Sequence, residues 1–378
     1  MSDNKEQNRI SAFDLARFLA MLMMMQGHTV FALASPEMVD ATIFPWNVWD
    51  FMRGITAPVF LFISGASYVF ANKRQADGIL PQTTVKRRIK LAISLIVLSY
   101  LMHFPVERIY DLAFLDPKLW ENFFRVNILQ VIGVSLVLVT LAFAQTKDDK
   151  SVGILSFFIG AFILIISPFI EMISWFELLP SFFASYISYE RGSIFTLFPF
   201  TAFMFLGVAF GAYIKQLDKS KRSKFLFNSG LAFGIPLVAM GYGIMQLEGF
   251  IGQTLYAKYD PGLAIIRLGF VFLWLAIVSK IADKTKFLNG FYSLFGKRAL
   301  FIYVIHLVVI YGSPLFNGLN KFYANSLYGT DLIVSVLFVT SITMAITYLI
   351  HLSLSNYPKI GYFLRYSLTA SVIYWLFI

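Results

Sequence analysis

The chain has 378 residues, of which 58% are hydrophobic and only 14% are charged. Many apolar runs approach the roughly 20 residues that a helix needs to cross a bilayer, which excludes a soluble globular protein and indicates a polytopic membrane protein. The formal net charge of +10 is explained by basic residues in loops that the positive-inside rule places in the cytoplasm, so no nucleic-acid partner is expected. The chain contains no cysteine, which excludes a disulfide framework, a thiolate metal site and a cysteine nucleophile.

Hydropathy and helix breakers predict an all-α fold with about eleven membrane-spanning helices, or ten if the short last span is miscounted. The predicted spans cover residues 12–34, 50–71, 89–104, 126–145, 152–171, 194–214, 225–247, 262–282, 298–316, 331–352 and 360–378. The first apolar run lacks a cleavage site of small residues, so we interpret it as a retained span and not as a signal peptide. No internal repeat or shift in composition separates a second domain, so residues 1–378 are predicted to form one transmembrane domain.

Basic residues concentrate in alternate loops, at residues 73–90, 215–224 and 280–298, and the loops between them carry more acidic residues. The positive-inside rule therefore places the basic loops and the amino terminus in the cytoplasm. An odd number of spans places the carboxyl terminus outside. The longest outward loops, 104–125 and 172–193, are rich in aromatic residues, which either cover a cavity or form an interfacial aromatic belt.

Three ionisable side chains lie on the first apolar run, FDLARFLAMLMMMQGH, at residues 13–28. A charge at the bilayer centre costs on the order of 3 kcal/mol, so each requires a partner, a wet cavity or an interface. Arg17 and His28 are eleven positions apart, about three helical turns, so they project from nearly the same face, roughly 16 Å apart along the axis. Asp14 lies one turn before Arg17 and can pair with its guanidinium.

A neutral imidazole at His28 can take a proton from a hydroxyl or an amine, as general-base acyl transfer requires. The alternatives are a His28 that is simply hydrogen-bonded to a backbone carbonyl, and an Arg17 that only anchors the topology. Arg53 lies close enough to a predicted helix end for its side chain to reach the interface. The chain's histidines, at positions 28, 103, 306 and 351, are too scattered to indicate a metal cluster, and no metal is predicted.

In the stretch RFLAMLMMMQGH, an arginine and a histidine are separated by ten residues, which resembles the membrane acyltransferase family 3 proteins. Four further stretches are similar to the heparan-alpha-glucosaminide N-acetyltransferase catalytic family and its bacterial relatives. They are GITAPVFLFISGAS (54–67), VNILQVIGVSLVL (126–138), RGSIFTLFPFTAFMFLGVAFG (191–211) and GKRALFIYVIHLVVIYG (296–312). The similarity extends in order over nearly the whole chain.

This resemblance implies a multi-pass enzyme of the bacterial inner membrane, surrounded by lipid, with a cytoplasmic amino terminus. It would move an acyl group, most simply acetyl, from cytoplasmic acetyl-CoA or another acyl-CoA to an extracytoplasmic sugar, amine or envelope glycan. It implies no metal, and it leaves a homodimer open.

The same resemblance gives the candidate residues their roles. His28 would be the catalytic base, Asp14 and Arg17 would hold the inner part of the donor, and Arg87 and Arg88 would hold the CoA phosphates. The basic loops are explained more simply by topology alone. Acceptor-side or supporting candidates are Arg53, Ser64, Gln130, Arg191, Ser193, Arg267, Tyr303 and His306. Among them, Tyr303 and His306 share a helix face.

One departure from the family pattern affects the mechanism. In the lysosomal enzyme the histidine credited with catalysis follows the first span, whereas residues 29–49 here contain no histidine. His28 is thus the local candidate, and direct transfer in a ternary complex is favoured over a covalent acetyl-histidine.

Two other classes of protein fit parts of the sequence. A secondary transporter of a small polar or anionic solute also has intramembrane Arg and His residues, but matched inverted repeats are not evident. A membrane sensor or scaffold gives no reason for a polar stripe along the first span.

Overall fold

The computed structural model describes residues 10–106, 109–251, 260–313 and 316–357, together with 359 and 367. Over these residues the chain is helical apart from short connections and one two-residue ladder, in which β1 (Gly312–Ser313) pairs antiparallel with β2 (Phe316–Asn317). The all-α prediction is therefore confirmed. Residues 360–378, the last predicted span, lie outside the described residues except for residue 367.

The described α-helices follow one another with short loops and two intervening 3₁₀ turns, Ile109–Phe114 and Lys286–Leu288. They are α1 (Ser11–Leu33), α2 (Trp46–Ala71), α3 (Gln82–Met102), α4 (Pro117–Phe124), α5 (Ile128–Ala144), α6 (Asp149–Glu171), α7 (Trp175–Leu178), α8 (Ser181–Ala184), α9 (Leu197–Gln216), α10 (Lys219–Ile251), α11 (Pro261–Lys284), α12 (Asn289–Lys297), α13 (Ala299–Tyr311), α14 (Leu319–Tyr323) and α15 (Gly329–Asn356).

Seven of the described helices, α1, α2, α6, α9, α10, α11 and α15, are long and apolar enough to cross a membrane. The number rises to nine if each of two bent pairs is one span, namely α4 with α5, bent by 50°, and Lys286–Lys297 with α13, bent by 66°. The protein is thus a multi-pass membrane protein, but the predicted count of eleven is not confirmed. The predicted span at 89–104 coincides with α3, which is helical but does not meet the same test of length and apolarity.

The chain packs into two compact units. The first comprises the described residues of Met1–Phe13, Ala57–Pro105 and Leu115–Asp283, and the second those of Asp14–Thr56, Val106–Phe114 and Lys284–Ile378. Both α1 and α2 contribute residues to each unit. The prediction of a single domain stays a prediction.

Within the first unit, one cluster of contacts joins the loop after α2 to the start of α6 and the end of α9. Arg74 donates to the backbone carbonyl and the hydroxyl of Thr146, just after α5. Its guanidinium also lies 3.7 Å from a carboxylate oxygen of Asp149, and Lys215 Nζ lies 2.7 Å from the other oxygen. The end of α5, the start of α6 and the end of α9 therefore meet at this end of the unit.

At the other end of the first unit, contacts join the end of α3 to the start of α5, and the end of α6 to the segment before α9. Ser99, near the end of α3, donates to Asn127 at the start of α5 over 2.7 Å. The backbone N–H of Tyr189, before α9, donates to the carboxylate of Glu171, the last residue of α6. Helices α3, α5, α6 and α9 therefore run between the same two ends.

Helices α2 and α9 approach each other closely because glycine lies at their contact. A Cβ on Gly65 would lie 2.0 Å from the carbonyl oxygen of Met204, and one on Gly207 would lie 2.0 Å from that of Phe62. Small residues allow this backbone contact between membrane helices, where van der Waals packing supplies much of the association energy.

In the second unit, α1 packs along its length. Near its start Phe18 contacts Phe291 and Phe295 with ring centroids 5.3 and 5.9 Å apart. Near its end Leu33 belongs to an apolar core with Ile310 and other residues of α13 and α15. This packing fixes α1 against α13, and so brings His28 next to the helix that carries His306.

Candidate functional site

His28 lies in the last third of α1, which is one unbroken helix over Ser11–Leu33. The helical register in which Arg17 and His28 share a face is therefore confirmed. Met21 and Met25, between them, are almost fully buried and act as core residues of this helix. Met24 is only partly buried.

The imidazole of His28 contacts a second histidine, His306 of α13. The rings are nearly parallel, with an interplanar angle of 22° and centroids 5.1 Å apart, and His28 Nδ1 lies 2.9 Å from His306 Nε2. This distance is that of a hydrogen bond. Two residues 278 positions apart in the sequence thus form one histidine pair.

The His306 ring is fixed from its other side by the backbone. Its Nδ1 lies 2.8 Å from the carbonyl oxygen of Ile302, one turn earlier on α13, and the side chain is fully buried. Tyr303 contacts it edge-on, with ring centroids 5.7 Å apart and an interplanar angle of 78°. The predicted shared face of Tyr303 and His306 is therefore present in the helix.

Arg53 of α2 lies against the same part of α1. A Cβ added to Gly27 would lie 3.1 Å from Arg53 Cγ, so the arginine stem crosses α1 one residue before His28. The guanidinium pairs with Asp50 over 2.5 Å and covers the rings of Phe31 and Trp49, each 5.1 Å from its centroid. Arg53 is therefore a neighbour of the histidine pair and does more than reach toward an interface.

At the other end of α1 lie the two residues predicted to hold the donor. Asp14 is buried, with 4% of its surface exposed, and Gly296 packs beside it so closely that a Cβ there would lie 3.4 Å from its carboxylate. Arg17 is partly buried. The predicted donor-binding role of both residues stays a prediction.

Several of the predicted supporting residues belong to the first unit, and two of them have a structural explanation. Gln130 accepts from the backbone N–H of Asn127 and shares the hydroxyl hydrogen of Ser99 with the Asn127 side chain, so it closes the cap of α5. The Ser193 hydroxyl donates to the carbonyl of Ser185 and accepts from the N–H of Val126. Both side chains are buried and serve local backbone groups. A part of Gln130 or Ser193 in catalysis stays a prediction.

Arg191 pairs across the loops with Glu121, whose carboxylate oxygen lies 2.9 Å from the guanidinium. Its guanidinium also covers Phe176. Arg267 of α11 lies within electrostatic range of Tyr189 and opposes the rise that burial causes in the pKa of that tyrosine.

The remaining first-unit candidates lie on α2 and α3. Ser64 is partly buried on α2. Arg87 is exposed on α3, and its predicted contact with the CoA phosphates stays a prediction. Arg88 instead donates to Asn72 and covers the ring of Tyr68 at 4.5 Å, so it is already engaged in the fold.

The sequence did not indicate that His306 is the partner of His28, because no local spacing connects the two helices. Nor did it indicate Asp50 as the partner of Arg53, although the i,i+3 spacing was a usable signal. In the part of the chain that the structure describes, no group of three or more His, Asp or Glu residues could hold a metal ion. The predicted lack of a metal stays a prediction.

The described helices therefore make a multi-pass membrane protein in which a histidine pair joins α1, a candidate membrane span, to α13. Residues 9–245 match the family model described as heparan-alpha-glucosaminide N-acetyltransferase, catalytic. The chain belongs to this family of membrane acetyltransferases. The matched segment includes Arg17, His28 and Arg53 but ends before Tyr303 and His306. No curated protein matches the chain.

Proposed function

We propose that the chain transfers an acetyl group from cytoplasmic acetyl-CoA to a sugar, an amine or an envelope glycan outside a bacterial inner membrane, with its amino terminus in the cytoplasm. Membership of an acetyltransferase family supports the reaction class. The observation that carries the choice of His28 is its pairing with His306, because the contact engages only Nδ1 of the His28 ring. The other ring nitrogen stays available for proton transfer.

In the proposed reaction the acceptor hydroxyl or amine attacks the thioester carbonyl while His28 takes its proton. The C–S bond then breaks, and the CoA thiolate leaves with the proton that His28 held. The products are the acetylated acceptor and CoA–SH, so atoms and charge balance without a covalent acetyl-histidine. Preorganised donors that stabilise the oxyanion are the usual largest contribution to such catalysis.

We also propose which residues bind acetyl-CoA. Arg17 lies on the face of α1 that carries His28, about three turns closer to the predicted cytoplasmic end. Asp14 is buried beside Gly296 at that end and would pair with the Arg17 guanidinium to fix its orientation. Arg87 is exposed and would meet the CoA phosphates as a charge-assisted contact, whereas Arg88 would have to exchange its bonds to Asn72.

The test uses the full chain purified into lipid nanodiscs, with acetyl-CoA as donor and a panel of amino sugars, neutral sugars and small amines as acceptors. Release of free CoA thiol measures turnover. We expect His28→Ala to lose at least about a hundredfold in turnover, which is the low end for removal of a general base. His351→Ala is the matched control, since His351 lies on α15 and its ring contacts Arg298 instead of the histidine pair.

Near-normal turnover by folded His28→Ala protein would contradict the assignment of the base. Thermal unfolding with and without acetyl-CoA gives an independent result, because a ligand that binds only the folded state raises its stability. No stabilisation at saturating acetyl-CoA, combined with uptake of a small solute by proteoliposomes, would instead favour a secondary transporter.

A further inference from the structure

The direction of each hydrogen bond in the histidine pair follows from chemistry. The carbonyl oxygen of Ile302 can only accept, so the nitrogen 2.8 Å from it, His306 Nδ1, carries a hydrogen. In a neutral imidazole the other nitrogen is then an acceptor, so His306 Nε2 has a lone pair. The 2.9 Å contact with His28 Nδ1 needs one hydrogen, and only His28 can supply it.

The same reasoning fixes the protonation pattern of His28. With its hydrogen on Nδ1, the neutral His28 ring has its lone pair on Nε2. We infer that His306 is the positioning residue of this site, which holds His28 in the Nδ1–H tautomer and so makes His28 Nε2 the basic atom. This inference rests on the proposed function for its catalytic consequence, but the tautomer itself is independent of it.

The surroundings of His306 suit this role. The side chain is fully buried, and both of its ring nitrogens are engaged, so it is held in one orientation and has no nitrogen left for a substrate. It therefore acts through His28, as the orienting residue of a catalytic triad acts through its histidine. When His28 takes a proton on Nε2, its Nδ1–H remains bonded to His306 and the bond becomes charge-assisted and stronger.

The partner histidine lies outside the segment that the family model matches. The matched segment ends at residue 245, whereas His306 comes from α13. The packing of α1 against α13 through Leu33 and Ile310 brings the two rings together. Residues 29–49 contain no histidine, and the partner of His28 instead comes from α13. Its positioning role does not require acetylation.

Two substitutions separate positioning from packing. In His306→Leu an apolar side chain occupies the site without an acceptor. In His306→Gln the side-chain oxygen can take the place of His306 Nε2 and accept from His28. We expect kcat to fall about a hundredfold in His306→Leu, because the base is then in the wrong tautomer or orientation for much of the time. We expect His306→Gln to recover to within about tenfold of the unchanged chain, with KM for acetyl-CoA near normal in both.

The tautomer is measured separately from activity by solid-state nitrogen NMR of ¹⁵N-histidine-labelled protein in lipid bilayers. The chain has only four histidines, and His28→Phe assigns the His28 signals. In the unchanged protein we expect a protonated Nδ1 and an unprotonated Nε2 on His28, and in His306→Leu a mixture of tautomers. His351→Leu is the control for a histidine of the same unit, and melting temperatures confirm that each variant is folded.

An Nε2–H tautomer for His28 in the unchanged protein would overturn the inference, as would an unaltered His28 signal or normal turnover in folded His306→Leu. Loss of activity in His306→Leu without recovery in His306→Gln would show that His306 acts through packing alone, and would also overturn it. If the tautomer is as stated but the unchanged chain transfers no acyl group from any CoA thioester, the proposed function fails and the catalytic role fails with it, while the pairing stands.

Discussion

At the scale of single residues, substitution of Arg17 tests whether this side chain binds the donor or only anchors the topology. If Arg17 binds acetyl-CoA, its removal costs a hydrogen bond to a charged group, about 1.5–3 kcal/mol, or roughly a tenfold to a hundredfold loss in affinity. We therefore expect Arg17→Ala to raise KM for acetyl-CoA at least tenfold, as measured by initial rates at saturating acceptor.

The control for Arg17 is Lys219→Ala, because Lys219 is an exposed cation at the predicted cytoplasmic start of α10. That substitution should leave the donor KM unchanged. A lower yield of folded Arg17→Ala protein with an unchanged donor KM would show that Arg17 only anchors α1.

Gln130 illustrates a residue whose structural role is better defined than its predicted chemical one. Its side-chain oxygen accepts from Ser99 and from the N–H of Asn127 within a buried cap. Because Gln130→Ala leaves the buried N–H of Asn127 without its acceptor, we expect it to destabilise the protein by about 1–3 kcal/mol. Thermal or denaturant unfolding in detergent measures this.

Gln145→Ala is the matched control for Gln130, since Gln145 is an exposed glutamine at the other end of α5. It should be close to neutral. Equal stability of Gln130→Ala and Gln145→Ala would contradict the structural assignment.

At the scale of helices, the contact of α2 with α9 predicts where small residues are required. Gly207→Ala places a methyl group 2.0 Å from the carbonyl oxygen of Phe62, so the two helices must move apart. We expect a clear fall in melting temperature. Gly243→Ala on α10 is the control, because nothing lies within 4 Å of the added Cβ and alanine gains about 1 kcal/mol of helix propensity over glycine. A Gly207→Ala protein as stable as the control would refute this contact.

The sequence predicted the helices well because hydropathy and breakers act locally. It predicted α1 and α2 within a few residues, and it predicted the register of Arg17 and His28 because that depends only on 3.6 residues per turn. It also predicted a span that starts at residue 126, close to the start of α5, where Asn127 and Gln130 form a capping box, but it did not predict the preceding helix α4.

The candidate site was only half predictable, for a physical reason. Local spacing can place two residues on one helix face, but it carries no information on which face another helix presents. The pairing of His28 with His306 depends on the packing of α1 against α13, which apolar sequences of similar composition do not specify. Arg53 was missed as a neighbour for the same reason, since its contact is with the backbone at Gly27 of another helix.

At the scale of the whole molecule, the contacts of the first unit lead us to predict that α3 crosses the bilayer. Thr146, just after α5, contacts Arg74, in the loop that leads to α3, while Asn127 at the start of α5 contacts the other end of α3 at Ser99. Helix α3 therefore lies antiparallel to α5. Its 21 residues span about 31 Å, which matches the hydrocarbon core of about 30 Å.

Because the chain contains no cysteine, single cysteines can test this crossing in an otherwise unchanged protein. Gln82 at the start of α3 and Lys118 just after the start of α4 are both exposed. In intact spheroplasts a membrane-impermeant maleimide should label Lys118→Cys, whereas Gln82→Cys should be labelled only after permeabilisation, because the positive-inside rule places residues 73–90 in the cytoplasm. Labelling of both cysteines from the same side would show that α3 does not cross, and the order of every later span would then be reversed relative to the membrane.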